Sequence, residues 1–280
     1  MTALGLALAS SLCWGVADFI GGLQSRRVAL LTVLLICQGV GLLGLAVLIA
    51  VRGVPAPELT RLLPAAVGGL GGIVGLMAFY RALAIGTMSV VAPIAATGVA
   101  VPVVVGLAGG DRPAPLQVIG LVAASAGVVL ASREQRVAGA QDEADRTSVA
   151  LALVAAVGFG SFFVGMRISA RYDVAWALLA ARVSGVACLA VLATARGAPL
   201  TGLRPALAPL LLTGALDQGA NGLFALASRH GLLSLVSVGA SLYPLVTVLL
   251  ARAVLGERVR RIQELGIAAS LAGVVLIAAG

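Results

Sequence analysis

The stretch GGDRPAPLQVIGLVAASAGVVLA (109–131) returns as LGERVRRIQELGIAASLAGVVLIA (255–278), aligned through Gly110/Gly256, Arg112/Arg258, Gln117/Gln263 and a closing AGVVL, an offset of 146. Working outward, LALASSLCWGVADFIGGLQSRR (6–27) pairs with LALVAAVGFGSFFVGMRISARY (151–172) at 145, and GLAVLIAVRG (44–53) pairs with CLAVLATARG (188–197) at 144. One match between apolar segments reflects composition. Three in order at a nearly constant offset reflect duplication. The two copies, 1–132 and 148–280, flank REQRVAGAQDEADRT (133–147), a linker in which seven of fifteen residues are charged.

Composition sets the medium in which the copies fold. Of 280 residues, 60% are apolar and 11% charged, with a mean hydropathy of +1.10. A soluble domain could not cover its surface with so few charges, and a disordered chain would not be this apolar. A bilayer-crossing helix needs about 20 apolar residues. Ten runs approach that length: 3–23, 28–51, 62–84, 88–108, 114–132, 148–166, 174–195, 205–228, 233–251 and 262–279. No Lys or Arg precedes the first run and Asp18 lies inside it, so it reads as a retained helix rather than a cleaved leader. The fold class is an all-α polytopic membrane protein. Short loops predict that consecutive helices are antiparallel neighbours. Five helices per copy is an odd number, so the second copy enters the membrane from the opposite side. Inverted repeats of this kind are the architecture of secondary transporters, with a site near the midplane between the copies.

The net charge of +8 is carried by arginine alone, scattered singly or in pairs. That pattern anchors helices at a lipid bilayer; nucleic acid would need a concentrated basic face. Cys13, Cys37 and Cys188 all fall in apolar runs and read as small core residues, not a disulfide framework. The single histidine, His230, stands beside Arg229 in a predicted loop, so His-based triads and metal clusters lack their parts, and no phosphate loop is present. The expectation is a non-enzyme without cofactor or metal.

The chain resembles an EamA-type member of the drug/metabolite transporter superfamily. The resemblance rests on Trp14-Gly15 in helix 1, Arg182 in helix 7, Gly-x-x-Ser at the start of helices 4 and 9 (Gly86–Ser89 and Gly231–Ser234), Pro244 twelve residues before Gly256-Glu257-Arg258, and Ala-Gly-Val-Val-Leu closing helices 5 and 10. It covers essentially the whole chain. Two departures stand out: Gly110-Asp111-Arg112 replaces Gly-Glu-Arg in the first copy, with Pro102 eight residues before it, and Gln38 stands where Arg182 stands in the second. The resemblance implies transport, usually export, of small-molecule metabolites or drugs across a bacterial inner membrane. It also implies both termini in the cytoplasm. The loops this puts inside hold six arginines and those outside hold twelve, so the positive-inside rule favours the reverse.

Ionisable residues at lipid depth mark function by default. Asp217, Gln218 and Asn221 share one side of helix 8 through their three- and four-residue spacings. Arg182 and Asp217 both lie about 20 Å from the turn joining helices 7 and 8, hence at one depth. They form either a pair gripping a polar substrate in a cavity or a dry clamp between helices. Gln38, the repeat-mate of Arg182, tilts the choice toward the cavity, and a guanidinium suits carboxylate-bearing metabolites. Asp18 has Phe163 as its repeat-mate and stands on the far side of the midplane. It is a candidate for a substrate role or for proton or other ion coupling, as small multidrug resistance proteins carry an acid in their first helix, or a structural partner for Arg81, or an interface residue. Glu264 reads as a helix-dipole residue. Trp14, Tyr80, Phe159, Phe163, Phe224 and Tyr243 are candidate aromatic walls of the cavity, or packing residues. Gly68, Gly71, Gly72 and Gly75 are spaced for close helix contact, and Pro93, Pro102 and Pro244 for kinks. The competing reading is a non-transporting structural or assembly protein of the membrane, which would pack these polar groups dry.

Overall fold

The computed structural model describes residues 2–101, 104–105, 114–131, 140–197, 204–230, 242–258 and 260–280. Ten α-helices and no strand occur among them: α1 Thr2–Gln24, α2 Leu30–Arg52, α3 Leu59–Ile85, α4 Met88–Ala96, α5 Pro115–Ala131, α6 Ala140–Ser169, α7 Val174–Arg196, α8 Arg204–His230, α9 Tyr243–Leu255 and α10 Arg261–Ala279. Among the described residues five segments are long and apolar enough to cross a bilayer: Gly5–Gln24, Leu30–Arg52, Leu59–Ile85, Ala144–Ser169 and Val174–Arg196. Pro115–Gly127 and Tyr243–Leu255 are shorter apolar helices. Pro102, Asp111, Arg112 and the predicted start of helix 9, including Gly231–Ser234, lie outside the described residues.

Two element boundaries differ from the sequence reading. Helix α6 begins at Ala140, so the second half of the charged linker is helical. Charge keeps a segment out of hydrocarbon, but glycine or proline is what stops a helix, and 140–147 has neither. His230 closes α8 instead of standing in a loop. The predicted break in helix 4 is present: Pro93 lies inside α4, and the helix tightens to a 3-10 turn over Thr97–Val99.

Helix neighbours obey the duplication. Adding five to a helix number converts one copy to the other. The α3–α6 seam then becomes α8–α1, α3–α7 becomes α8–α2, and α4–α6 becomes α9–α1; all six contacts exist. The α5–α10, α2–α7 and α4–α9 contacts map onto themselves. Such reciprocity defines an approximate two-fold axis. Individual residues repeat it. A Cβ on Gly15 would meet Val246 Cβ at 2.4 Å and the Tyr243 carbonyl at 2.6 Å; one on Gly160 would meet Val101 Cβ at 2.3 Å and the Gly98 carbonyl at 2.7 Å. Glycines also let α5 cross α10, where Gly127 abuts Ser270 and Gly273 abuts Ala124. Consecutive helices were expected to be neighbours; among the described residues α2–α3, α3–α4 and α6–α7 do touch, but α7 packs chiefly on α3 and α2, and α8 on α1 and α2. Each helix buries its apolar face against the opposite copy.

The helix 3 glycines find their partner in α6. Cβ atoms on Gly75 and Gly68 would lie 3.1 Å from Gly158 Cα and 3.2 Å from Gly165 Cα, and one on Gly158 would lie 2.6 Å from Gly75 Cα. Backbone touches backbone, so the α3–α6 seam is welded by the absence of side chains.

The recurring loop motifs have a job at the helix ends. Glu257, in the Gly-Glu-Arg loop of the second copy, accepts hydrogen bonds from the Met88 and Ser89 N–H groups at 3.0 and 2.9 Å. It thus caps α4, whose Gly-x-x-Ser start belongs to the first copy. Arg26 lies 3.9 Å from Glu257 and donates to the Leu83 carbonyl at 3.1 Å. At the opposite end of α2, Arg52 grips Asp173 through two hydrogen bonds of 3.2 and 3.0 Å. Asp173 also caps α7 by accepting from Trp176 N–H. Burial alone would raise the Asp173 carboxyl, but the Arg52 and Trp176 hydrogen bonds outweigh it and hold the group below the usual carboxylate range.

Two expectations follow. Gly158→Ala forces a Cβ into the α3 backbone and lowers stability by about 1–3 kcal/mol. Gly219→Ala, with nothing within 4 Å of its Cβ, is neutral or stabilising by up to about 1 kcal/mol; thermal unfolding in detergent compares them. Because the folded carboxyl of Asp173 is depressed, its contribution is fully present above the unfolded value and is lost as pH falls through and below about 4. The melting temperature of the wild-type protein should therefore drop more steeply than that of Asp173→Asn over that acid range.

Candidate functional site

Gln38 and Arg182 are each the ninth residue of a 23-residue helix, α2 and α7. They are repeat-mates, and they touch: the Arg182 guanidinium donates to the Gln38 side-chain carbonyl oxygen. Two equivalent positions can meet only at the axis that relates them, so this contact marks the two-fold axis at mid-helix. The same guanidinium donates to Asp217 Oδ2 at 2.9 Å and to Gln218 Oε1 at 3.4 Å. The sequence placed Arg182 and Asp217 at one depth, and they form an ion pair.

Local structure seats the arginine. Gly41 lies one turn beyond Gln38 on α2, and a Cβ there would come within 3.1 Å of the Arg182 Cζ. Gly44 similarly faces Gln218. Sequence reasoning did not single out Gly41; its three-residue spacing from Gln38 was the signal. Cys37 donates to the Leu210 carbonyl at 3.4 Å and ties α2 to α8 beside the cluster. The Arg182 side chain is 12% exposed and that of Asp217 is 28% exposed, so the carboxylate is the more open end of the pair.

Other candidates divide. Asn221 does not join the cluster: its side-chain amide donates to the Asp217 backbone carbonyl at 2.7 Å, one turn back on its own helix. Trp14 packs at 5.9 Å from Phe224 and 6.2 Å from Tyr243, forming an aromatic wall among α1, α8 and α9. Tyr80 and Phe159 both pack on Phe79, at 6.1 and 5.6 Å. Phe163 points outward, 45% exposed. Glu264 pairs with Arg252 at the surface, 3.1 Å apart.

Asp18 is half-buried on α1. The proposed partnership with Arg81 is not formed, because Tyr80 takes the inward position against Gly21 while Arg81, the next residue round the helix, faces outward. The helix that carries Asp18 packs on α8, the helix that carries Asp217.

A ten-helix fold of two copies, each crossing the bilayer with apolar helices, defines a multi-pass integral membrane protein. The sequence profile of the EamA-like transporter family matches it twice, over residues 1–133 and 146–279, and the chain belongs to that family. A solved structure described as "Crystal structure of protein" shares the fold, with a TM-score of 0.63 at 17% identity over 98% of this chain and 96% of its own. No curated protein matches this chain.

The cluster predicts a stability pattern. In a water-lined cavity, hydration tempers the cost of orphaning either charge. Arg182→Gln and Asp217→Asn should each lose about 1–3 kcal/mol, short of the roughly 3–5 kcal/mol of a dry buried pair. Denaturant unfolding of the two variants measures it; losses at the upper figure would identify a dry clamp.

Proposed function

We propose that the protein is a secondary transporter, without enzymatic activity, that exports small polar or amphipathic metabolites by alternating access around the cluster on the axis. The observation that supports this reading most is the meeting of repeat-mates Gln38 and Arg182, with Asp217 and Gln218, at mid-helix. A polar group there is expensive in hydrocarbon and sits where inverted repeats place their substrate. Two inverted copies can exchange conformations about such an axis, so a site on it faces either side in turn. The driving force is exchange against a proton or another ion.

The seams suggest which parts move together. The α3–α6 weld joins a helix of one copy to a helix of the other. The copies as written in the sequence are therefore not the moving bodies. The units are α3 with α6 and α1 with α8, each drawn from both copies, and they turn against each other at the α2–α7 contact where Gln38 meets Arg182.

Cells making the protein should release metabolites that cells without it retain, and Arg182→Gln should cut that release by about tenfold or more, the loss expected when a charge-assisted contact goes. The measurement is a comparison of culture media, with membrane content of each variant checked. A well-expressed and fully active Arg182→Gln would remove the cluster from the mechanism.

A further inference from the structure

We propose that Arg26 is the releasable bolt of a gate at one face of the bundle. It holds α1 of one moving unit against the α3–α4 turn of the other, and the structure is the state closed at this face and open at the opposite one. The proposal rests on the transporter reading and its two units, and identifies the contact that must break for them to turn.

The bolt is held by backbone acceptors. The Arg26 guanidinium donates to the Leu83 carbonyl at 3.1 and 3.3 Å and to the Gly86 carbonyl at 3.4 Å, acceptors left open where α3 ends. Glu257 lies 3.9 Å from Arg26 but is committed to the Met88 and Ser89 N–H groups at 3.0 and 2.9 Å. The carboxylate therefore stays with α4. The Arg26 side chain, 31% exposed, is the part whose contacts water can replace. Close approach carries the closure inward along α1. A Cβ on Gly22 would meet Leu83 Cβ at 2.8 Å, and one on Gly21 would meet the Tyr80 ring at 2.4 Å.

Three observations, each made among the described residues, confine this closure to one face. First, the apolar core is continuous at the Arg26 end, where Phe19 of α1, Phe79 and Leu83 of α3, Ala155 of α6 and Leu210 of α8 share one cluster. At the other end it splits by unit: Ala7 of α1 packs with Ala227 of α8, while Ala65 of α3 packs separately with Ala177 and Ala181 of α7. Second, α1 packs on α3, but the repeat-mate of that contact, α6 on α8, does not occur to that extent. Third, equivalent residues differ in burial and engagement. Phe79 is 1% exposed and its mate Phe224 is half-buried. Arg171, the mate of Arg26, is exposed and bonds only to the Arg167 carbonyl of its own helix, at 3.4 Å. Inverted repeats reach the opposite state when the copies exchange conformations. The α1 helix then leaves α3, α6 closes on α8, and Arg171 takes the equivalent acceptor, the Ser228 carbonyl.

The test measures two distances between spin labels on the full chain in lipid vesicles, with Cys13, Cys37 and Cys188 replaced by alanine. Labels on Arg27→Cys and Arg81→Cys span the closed face, and labels on Ile168→Cys and Leu226→Cys span the open one. All four positions are exposed, and each pair has one member on either unit. Arg26→Gln should lengthen the first distance and shorten the second, each by about 5 Å or more, the scale of one helical turn. Arg171→Gln should move neither. Should Arg26→Gln not assemble, Arg26→Lys, which keeps the charge but loses the planar fork, should shift both distances the same way by less. Folded Arg26 variants with both distances unchanged, or an equal shift in Arg171→Gln, overturn the proposal. Metabolite release separates the gate from the reading beneath it. Opposed distance changes, with no release by cells making the unaltered protein, keep the gate and sink transport. Release that Arg26→Gln leaves at the wild-type level, with both distances unchanged, keeps transport and sinks the gate.

Discussion

The rest of the structure depends on one hydrogen bond, from Arg182 to Gln38 across the axis that relates the two copies. Duplication makes the two positions equivalent, and the fold makes them meet. Identical residues there would be poor partners: two arginines repel, and two glutamines carry no charge to hold an acid. Divergence of one copy to arginine and the other to glutamine gives a donor, an acceptor and one net charge, which Asp217 balances. Gly41 leaves room for the guanidinium on the α2 face. A polar centre in an otherwise apolar bundle can exist only because each of its members satisfies another.

The two-fold relation is kept in the backbone and broken in the side chains. The seams α3–α6 and α8–α1 are equivalent, yet their contents differ. Gly158 stands where the other copy has Cys13, Gly72 where it has Asp217, and Phe163 where it has Asp18. One seam is a glycine weld in which backbones touch. The other carries both acids, the aromatic wall and the buried Ser10 hydroxyl, which donates to the Ala220 carbonyl at 2.8 Å. The copies have diverged: one seam is closed by glycines, and its mate holds the polar side chains. Glu257 and Arg26 then tie the end of α1 to the turn between α3 and α4, joining the two seams at one face.

Much of this was legible in the sequence. The repeat offset fixed which positions are equivalent, and counting rise per residue placed Arg182 and Asp217 at one depth. What the sequence concealed was which helices are neighbours. Short loops suggested sequential packing, but glycine spacing in α3 matched α6 instead, and a glycine row does not announce its partner. Counting along a helix gives depth but not azimuth, so Arg81 was eligible for Asp18 until the inward position went to Tyr80. Asn221 failed for a local reason: a side-chain amide four residues after a backbone carbonyl can bond to its own helix. Helix α6 starts before its apolar run because charge excludes a segment from lipid without preventing it from being helical.

The central claim is that the site lies on the axis, equally accessible from either copy. Exchanging the two mates, Gln38→Arg with Arg182→Gln, tests it most directly by export from cells at matched membrane content. The guanidinium would then project from α2, which packs on α8, toward the same Asp217. The account predicts that the exchanged protein recovers a substantial part of the export lost in Arg182→Gln alone. An exchanged protein that folds with wild-type stability and exports no better than that single variant would contradict it.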